Sequence, residues 1–174
     1  MTTQNITLRL AHVGDAAAIA RIYNEGIEDR VATFETEPRT VEQLAATLRE
    51  RGDAYPTVVA ERDGALIAWA GAAAYSDRPC YAGIGSCSVY VERGARGRGA
   101  GRAVLAELIR VYEALGFWKL VSRVFPENAA SRAMCKAAGF REVGVYHKHG
   151  RLDGQWRDCV IVERLLGVAA ADGA

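Results

Sequence analysis

A glycine-rich segment that leads directly into an amphipathic helix constrains this chain more than any other feature. The segment reads Arg93-Gly-Ala-Arg-Gly-Arg-Gly-Ala-Gly101, and the apolar residues that follow it recur at helical spacing. The apolar side of this helix carries Val104, Leu105, Leu108, Ile109, Tyr112 and Leu115. An apolar strand through Ser88–Val91 is predicted before it. Because the first N–H groups of a helix have no partners within the helix, this strand–turn–helix unit predicts an anion site.

The composition of the glycine segment indicates which anion it would bind. Gly97, Gly99 and Gly101 let the main chain approach a phosphate closely, because they have no Cβ. The surrounding positive charges are Arg93, Arg96, Arg98 and Arg102. The segment lacks the lysine of a P-loop, and Arg102 occupies the third glycine position of a dinucleotide fingerprint. We therefore expect a diphosphate, while an ordinary glycine-rich connection remains the alternative.

Composition excludes several other classes of protein. The 174 residues are 50% hydrophobic and 25% charged, as in one globular domain. The net charge of +1 provides no basic surplus for nucleic acid, and no apolar run approaches the roughly 20 residues that span a bilayer. The first residues do not resemble a secretion signal, and the cysteines lack metal-ligand spacing. We expect a cytoplasmic protein with reduced thiols, no metal, and no nucleic-acid or membrane partner.

The apolar patterning predicts a mixed α/β domain over residues 1–166 and a flexible tail over residues 167–174. Strands are predicted at residues 6–10, 57–61, 65–75, 88–91, 118–125, 141–149 and 156–165. Helices are predicted after an Asp15 cap, from Thr40, after the glycine segment, and at residues 128–138. The last two strands should be joined by a turn that contains Gly150 and Gly154. Regular alternation would place His147 and His149 on one face.

Two motifs together resemble the GCN5-related N-acetyltransferase (GNAT) superfamily. They are Arg96-Gly97-Arg98-Gly99-Ala100-Gly101 after a strand, and Asn128-x-x-Ser131 before Ala138-Gly139-Phe140. The resemblance implies a GNAT fold, which is a mixed, mostly antiparallel twisted sheet of about seven strands flanked by about four helices. It also implies acetyl-CoA as co-substrate.

By the same resemblance, acetyl-CoA would be held by Val89, Tyr90, Val91, Arg96, Gly97, Arg98, Gly99, Ala100, Gly101, Asn128 and Ser131. The Asn128 side chain would bind the pantetheine amide, but Asn128 is also a good helix N-cap. Both roles can hold together.

Further segments resemble the phosphinothricin, methionine sulfoximine and arsinothricin N-acetyltransferases. They are Thr33–Pro38, Arg78–Tyr81, Ser88–Val91, Phe125–Asn128 and Gly154–Asp158. This resemblance implies acetylation of the α-amine of a glutamate-like amino acid, with resistance as the outcome, and a homodimer. It implies an amino-acid pocket lined by Phe34, Tyr75, Arg78, Tyr81 and Ser88. Arg78 could instead be a solvated loop arginine, and the aromatic residues could be core or interface residues.

The predicted catalytic residues are Val89, Ser86 and Cys135, of which Val89 would offer its main chain to the thioester carbonyl. The other two depart from the resembled families. Ser86 stands where the narrower family has a glutamate base, and Cys135 stands where the superfamily often has a tyrosine acid. The proton of the acceptor ammonium would pass to water, Ser86, His147 or His149. Alternatively the base is lost and the chain is a non-catalytic acyl-CoA-binding module. An acetyltransferase for a different small amine is the third possibility.

Overall fold

The computed structural model describes residues 5–171, which form one seven-stranded sheet with helices on both faces. The strands are β1 Thr7–Leu10, β2 Val58–Arg62, β3 Ala65–Ala74, β4 Ile84–Val91, β5 Lys119–Val124, β6 Arg141–Leu152 and β7 Gln155–Leu165. The helices are α1 Ala16–Glu28, α2 Val41–Arg51, α3 Ala100–Ala114, α4 Ala129–Ala137 and α5 Gly167–Ala171. The strand order is β1-β2-β3-β4-β5-β7-β6, and β4–β5 is the one parallel pair among these strands. The predicted mixed, mostly antiparallel sheet is confirmed.

Successive side chains of the central strands point to opposite faces of the sheet, so these strands contribute to a hydrophobic layer on each face. Val58 and Ala60 pack in the cluster that contains the apolar side of α3, whereas Val59, between them, packs with Ile19 and Ile22 of α1. The α3 side chains Val104 and Leu108 are fully buried, as the helical spacing predicted. Helices α1 and α3 therefore cover opposite faces of the sheet.

The sheet divides between β4 and β5. These strands pair only from Ile84 with Lys119 to Ser86 with Val121, although β4 continues to pair with β3 as far as Val91. Beyond Ser86, the edge of β4 that faces β5 is without a ladder partner. Such an edge leaves main-chain N–H and C=O groups available to a ligand.

Two predicted helix ends are confirmed. Thr40 and Gln43 form a reciprocal capping box at the start of α2, in which the Thr40 hydroxyl accepts from the Gln43 N–H at 3.2 Å. Gly139 follows α4 with a φ of 82°, a conformation that a residue with a Cβ rarely adopts.

Asp15 is the N-cap residue of α1, as predicted, but its side chain does not make the predicted capping hydrogen bond. Its carboxylate does not cap α1 but accepts the His12 N–H at 2.9 Å and two hydrogen bonds of 2.8 Å from the Arg9 guanidinium. Asp15 therefore joins the start of α1 to strand β1.

The predicted turn of the last hairpin was also wrong in part. Gly150 lies within β6 opposite Arg157, and the turn is formed by Asp153 and Gly154. A Cβ on Gly150 would lie 2.7 Å from the Phe34 ring, so a glycine at this position allows the Phe34 ring to lie close to β6. The prediction that His147 and His149 share one face assumed regular alternation along β6. That alternation is interrupted between them, because Lys148 has a φ of 50° and lies at a register shift.

At the C-terminus, α5 occupies Gly167–Ala171, where a flexible tail was expected. Residues 1–4 and 172–174, the latter being the end of the expected tail, lie outside the described residues. No helix in the described part of the chain is both long enough and apolar enough to cross a membrane.

Candidate active site

A groove of about 530 Å³ opens where β4 diverges from β5 and the glycine segment begins α3. Its walls come from the end of α1 and the following connection, from β4, from the glycine segment and from α4. The lining residues are Gly26, Asp29, Val31, Ala32, Val89, Tyr90, Val91, Arg96, Gly97, Gly99, Gly101, Arg102, Asn128, Ala130, Ser131 and Met134. Most of the residues predicted to bind acetyl-CoA are therefore brought to one groove.

The glycine segment has the conformation that an anion site requires. Gly97 and Gly99 have φ values of 72° and 86°, and Gly99 is the N-cap of α3 without any side-chain cap. The first N–H groups of α3 are therefore left free of a side-chain partner at the positive end of the helix dipole. A Cβ on Gly101 would lie 3.0 Å from both Met134 Sδ and Val91 Cγ2, so this glycine permits close packing of α3 against β4 and α4.

Two arginines of the segment form ion pairs with Asp29, the C-cap residue of α1. Arg96 donates to the Asp29 carboxylate at 2.6 Å and to the Val91 carbonyl at 3.1 Å, and Arg93 donates to Asp29 at 2.8 Å. Burial alone would raise the pKa of Asp29, but these guanidinium groups outweigh burial and hold it below its ordinary value. Of the remaining arginines, Arg102 lines the groove, whereas Arg98 is exposed and is not part of its wall.

Asn128 performs the capping role that the sequence allowed. Its side-chain oxygen accepts the Ser131 N–H at 3.1 Å at the start of α4, and its amide nitrogen donates to the Val31 carbonyl at 3.1 Å. The cap therefore joins α4 to the connection that follows α1. Both Asn128 and Ser131 remain part of the groove wall.

Alternation along β4 connects this groove with a second cavity. Ser86, Ser88 and Tyr90 line a cavity of about 160 Å³ on the α1–α2 face, Val89 and Val91 line the groove, and Tyr90 lines both. Ser88 and Tyr90 also line a cleft of about 50 Å³ between the diverging strands, together with Val89 and Asn128. The groove and the second cavity therefore meet across the outer half of β4.

The second cavity, here called the acceptor cavity, contains charged and aromatic groups. Its lining residues are Ile19, Tyr23, Glu35, Arg39, Leu44, Thr47, Leu48, Arg51, Thr57, Trp69, Gly71, Ala72, Ser86, Ser88 and Tyr90. Arg39 holds the Glu35 carboxylate in a bidentate pair with distances of 2.6 and 2.7 Å. This hydrogen bonding is the main reason why the pKa of Glu35 lies below its ordinary value, so Glu35 is ionised at neutral pH.

Three rings form one side of the acceptor cavity. Tyr90 stacks on Trp69 with centroids 4.9 Å apart, and Tyr23 meets Tyr90 edge-on at 4.7 Å. Burial raises the pKa of both tyrosines, so their hydroxyl groups stay protonated at neutral pH. These rings also belong to the hydrophobic layer beneath α1, where they pack with Ile19 and Ile22.

The residues predicted to bind the amino acid are not all brought together. Of them, only Ser88 lines the acceptor cavity. The Phe34 ring packs edge-on against Phe125 at 4.9 Å. Tyr75, Arg78 and Tyr81 form a separate group on the β3–β4 connection, where Arg78 lies 5.6 Å from the centre of the Tyr81 ring and Tyr75 is 48% exposed. Substrate binding by these four residues stays a prediction.

The predicted acid and the alternative bases lie away from the two cavities. Cys135 is buried in the main hydrophobic layer, lines neither cavity, and has a pKa raised by burial to about 11. This placement agrees with packing, the commoner use of a cysteine. His147 is exposed and pairs with Asp158 at 2.9 Å, and His149 packs against the Tyr146 ring. Neither histidine lines the acceptor cavity, whereas Ser86 does.

Sequence reasoning missed most of the charged groups of the acceptor cavity. Glu35 lies within the Thr33–Pro38 segment that carried the family resemblance, so its position was a usable signal. Arg39 precedes α2 and Arg51 is its last residue, and no local pattern marks either of them. Among residues 5–171, no group of three or more His, Cys, Asp or Glu side chains is arranged to hold a metal ion.

Comparisons with known proteins identify the family to which the chain belongs. Residues 19–140 match the family described as the acetyltransferase (GNAT) family. A phosphinothricin N-acetyltransferase of Alcaligenes faecalis is 35% identical over 162 residues, which cover 92% of this chain and 82% of that protein. An L-methionine sulfoximine/L-methionine sulfone acetyltransferase of Salmonella typhimurium is 30% identical over 175 residues, which cover 97% and 99%.

A solved structure has the same fold. It is a GNAT superfamily phosphinothricin acetyltransferase from Sinorhizobium meliloti in complex with acetyl-CoA. The two structures superpose with a TM-score of 0.88 at 34% identity, over 95% of this chain and 91% of that one. The predictions of family, fold, enzyme class and acetyl donor are confirmed. The chain belongs to the GNAT family and is an acetyl-CoA-dependent N-acetyltransferase, similar to the phosphinothricin and methionine sulfoximine acetyltransferases.

Proposed function

We propose that the protein acetylates the α-amine of a glutamate-analogue amino acid such as arsinothricin, phosphinothricin or methionine sulfoximine, and that this modification confers resistance. The supporting observation is the junction of two cavities at Ser88 and Tyr90. One cavity has the glycine segment in its wall, and the other has the charged groups that an amino acid needs. The named activities of the relatives agree with this assignment.

On the donor side, acetyl-CoA supplies an acetyl group as a thioester. The N–H groups at the start of α3, with Arg96 and Arg102, are suited to bind the pyrophosphate because they combine close main-chain approach with positive charge. The unladdered edge of β4 at Val89–Val91 is suited to hold the pantetheine arm, with Asn128 and Ser131 opposite. The Val89 main chain is the group that we assign to the thioester carbonyl, where a positioned donor stabilises developing negative charge.

On the acceptor side, Glu35 is the carboxylate in the cavity wall. It is ionised at neutral pH, and each of its oxygens has a lone pair besides the one that accepts from Arg39, so Glu35 can receive the acceptor's proton through water. Ser86 and Ser88 lie on the same side of β4 and provide hydroxyl groups that can hold such a water. Glu35 therefore replaces the glutamate that the resembled family has at the position of Ser86.

We also propose a homodimer in the cytoplasm. Strand β6 is an edge strand whose residues are exposed along most of its length, and its apolar side chains include Val143, Val145 and Tyr146 at 48, 45 and 52% exposure. Long apolar edges usually meet another chain in a stable protein. All four cysteines are free thiols, in keeping with a reducing compartment. Sedimentation velocity would test the dimer directly.

The assay that tests the proposed activity supplies acetyl-CoA with arsinothricin, phosphinothricin or methionine sulfoximine and measures CoA release. Turnover with at least one of these amino acids, with the product acetylated at its α-amine, is expected. Turnover of another amine alone would contradict the substrate assignment. Binding of acetyl-CoA without transfer to any amine would favour the non-catalytic alternative.

A further inference from the structure

The Arg51 guanidinium, at the C-terminal end of α2, has no anionic partner among residues 5–171. It forms no ion pair and donates no side-chain hydrogen bond to any of these residues, yet it is partly buried and lines the acceptor cavity. Arg39, which lines the same cavity, is in contrast neutralised by the bidentate pair with Glu35. Arg51 is therefore the charge in the cavity wall that remains unbalanced.

The surroundings of Arg51 hold it against the floor of the cavity. Its Nη1 atom would lie 3.3 Å from a Cβ on Gly71 of β3, and the Thr57 hydroxyl would lie 3.0 Å from the same Cβ. Glycine at position 71 thus leaves the space that the guanidinium and Thr57 occupy. Burial lowers the pKa of Arg51, and an anion bound beside the guanidinium would oppose this effect.

A second polar group of the cavity wall also lacks a partner. Trp69 is only 7% exposed, and its Nε1–H donates to none of the described residues. Buried donors in folded proteins are almost always satisfied by protein, water or ligand. An unpaired guanidinium and an unpaired indole N–H in the wall of one small cavity both call for an acceptor oxygen.

We propose that Arg51 is a specificity-determining residue that binds an oxyanion group of the acceptor molecule. This inference rests on the proposed function and narrows it to acceptors with at least one anionic group. A guanidinium can bind a carboxylate or a tetrahedral oxyanion in bidentate fashion, so the α-carboxylate and an acidic side-chain terminus share the required chemistry. With its oxyanion at Arg51, the acceptor would leave its amine to the proton transfer that Glu35 provides.

The test compares Arg51→Met and Arg51→Lys with Arg49→Met, a matched control because Arg49 is exposed on the same helix. Three acceptors separate the sources of the anion. Phosphinothricin carries a carboxylate and a phosphinate, methionine sulfone carries the carboxylate alone, and methionine sulfone amide carries neither. For each variant, kcat and KM are measured for each acceptor and for acetyl-CoA, and calorimetry measures acceptor binding to the CoA-loaded protein.

We expect Arg51→Met to raise the acceptor KM by about 10- to 100-fold, the range for losing a hydrogen-bonded charge. Arg51→Lys should recover part of this loss, and the KM for acetyl-CoA should be unchanged in every variant. If Arg51→Met raises the KM for phosphinothricin and for methionine sulfone but not for methionine sulfone amide, Arg51 contacts the α-carboxylate. If it raises the KM for phosphinothricin alone, Arg51 contacts the side-chain anion.

Other results would overturn the inference. An unchanged acceptor KM in Arg51→Met, or an equal rise with the amide, would show that Arg51 binds no anion of the acceptor, although the proposed function would stand. Failure of the wild-type protein to acetylate any amino acid would instead overturn the proposed function and this inference with it. If Arg51→Met does not fold, Arg51→Lys with wild-type KM values for all acceptors would also count against the inference.

Discussion

The Ser122 hydroxyl donates a hydrogen bond of 2.8 Å to the carbonyl oxygen of Cys87, immediately beyond the last paired residues of β4 and β5. This side chain satisfies the first β4 carbonyl on the unladdered edge. The next β4 residues, from Ser88 onwards, line the cleft between the diverging strands. The division of the sheet therefore begins at a defined hydrogen bond, and the groove and the acceptor cavity lie on either side of β4 beyond it.

Replacement of Ser122 by alanine should lower the free energy of unfolding by about 1–2 kcal/mol, because the Cys87 carbonyl loses its partner in a partly buried position. Urea denaturation measures this loss, and Ser122→Thr, which keeps the hydroxyl, should lose less. Equal stabilities of Ser122→Ala and the wild type would show that this hydrogen bond contributes nothing to the divergence.

Substitution of Gly99 by valine should weaken acetyl-CoA binding at least tenfold. Gly99 has a φ of 86°, which is strained for a β-branched residue, and the new side chain would stand at the start of α3. Gly94→Val is the matched control, because a Cβ at Gly94 meets nothing within 4 Å and Gly94 lacks a positive φ. Calorimetry gives the Kd for both variants, and an unchanged Kd in Gly99→Val would oppose this position of the pyrophosphate.

Removal of the Glu35 charge should reduce kcat by about 100-fold with little change in the KM for acetyl-CoA, as expected for loss of a proton acceptor. Glu35→Gln tests this in steady-state assays at pH 7. Glu37→Gln is the control, since Glu37 is exposed two residues away and does not line the cavity.

Ser86→Glu tests the role of Glu35 as proton acceptor by adding a second carboxylate instead of removing one. Because Glu35 already supplies a carboxylate to the cavity, we expect Ser86→Glu to change kcat by less than roughly threefold. A gain of about 100-fold would contradict the role of Glu35 and would show that the wild-type protein lacks its base.

The ion pair between Arg9 and Asp15 makes the stability of the protein depend on pH. Hydrogen bonds from the Arg9 guanidinium hold the pKa of Asp15 below its ordinary value of 3.8. The ionised carboxylate therefore stabilises the fold above pH 3.8, and this contribution is lost as the pH falls through the folded pKa. Asp15→Asn should lower the free energy of unfolding by about 2 kcal/mol at pH 7, and by less as the pH falls below 3.8.

Denaturation at pH 7 and at pH 3 measures the difference between Asp15→Asn and the wild type. Asp77→Asn is the control, because Asp77 is exposed on the β3–β4 connection. A difference that stays constant between the two pH values would rule out the ion pair as its source.

The groove was predictable because the features that form it are local in sequence. Gly97, Gly99 and Gly101 are adjacent in sequence to the helix that they begin, and Asn128 lies three residues before the N–H that it caps. Such features depend on spacing within a few residues, which a single sequence displays. The same holds for the capping box at Thr40 and the buried side of α3.

The lining of the acceptor cavity was not predictable in the same way, because it is assembled by tertiary structure. Glu35 comes from the α1–α2 connection, Arg51 from the end of α2, and Trp69 from β3. The sequence favoured Arg78 as the anion ligand because a guanidinium binds oxyanions well, and that role stays a prediction. Arg78 lies beside the Tyr81 ring on the β3–β4 connection, whereas Arg51, which no local pattern marks, lines the acceptor cavity.

The most direct test of the whole account is a crystal structure of the protein with acetyl-CoA and phosphinothricin. We expect the pyrophosphate to accept hydrogen bonds from main-chain N–H groups of residues 97–102 and the amino acid to lie in the cavity beside Ser88, Glu35 and Arg51. A nucleotide bound outside the groove at saturating acetyl-CoA, or an amino acid bound away from that cavity, would contradict it.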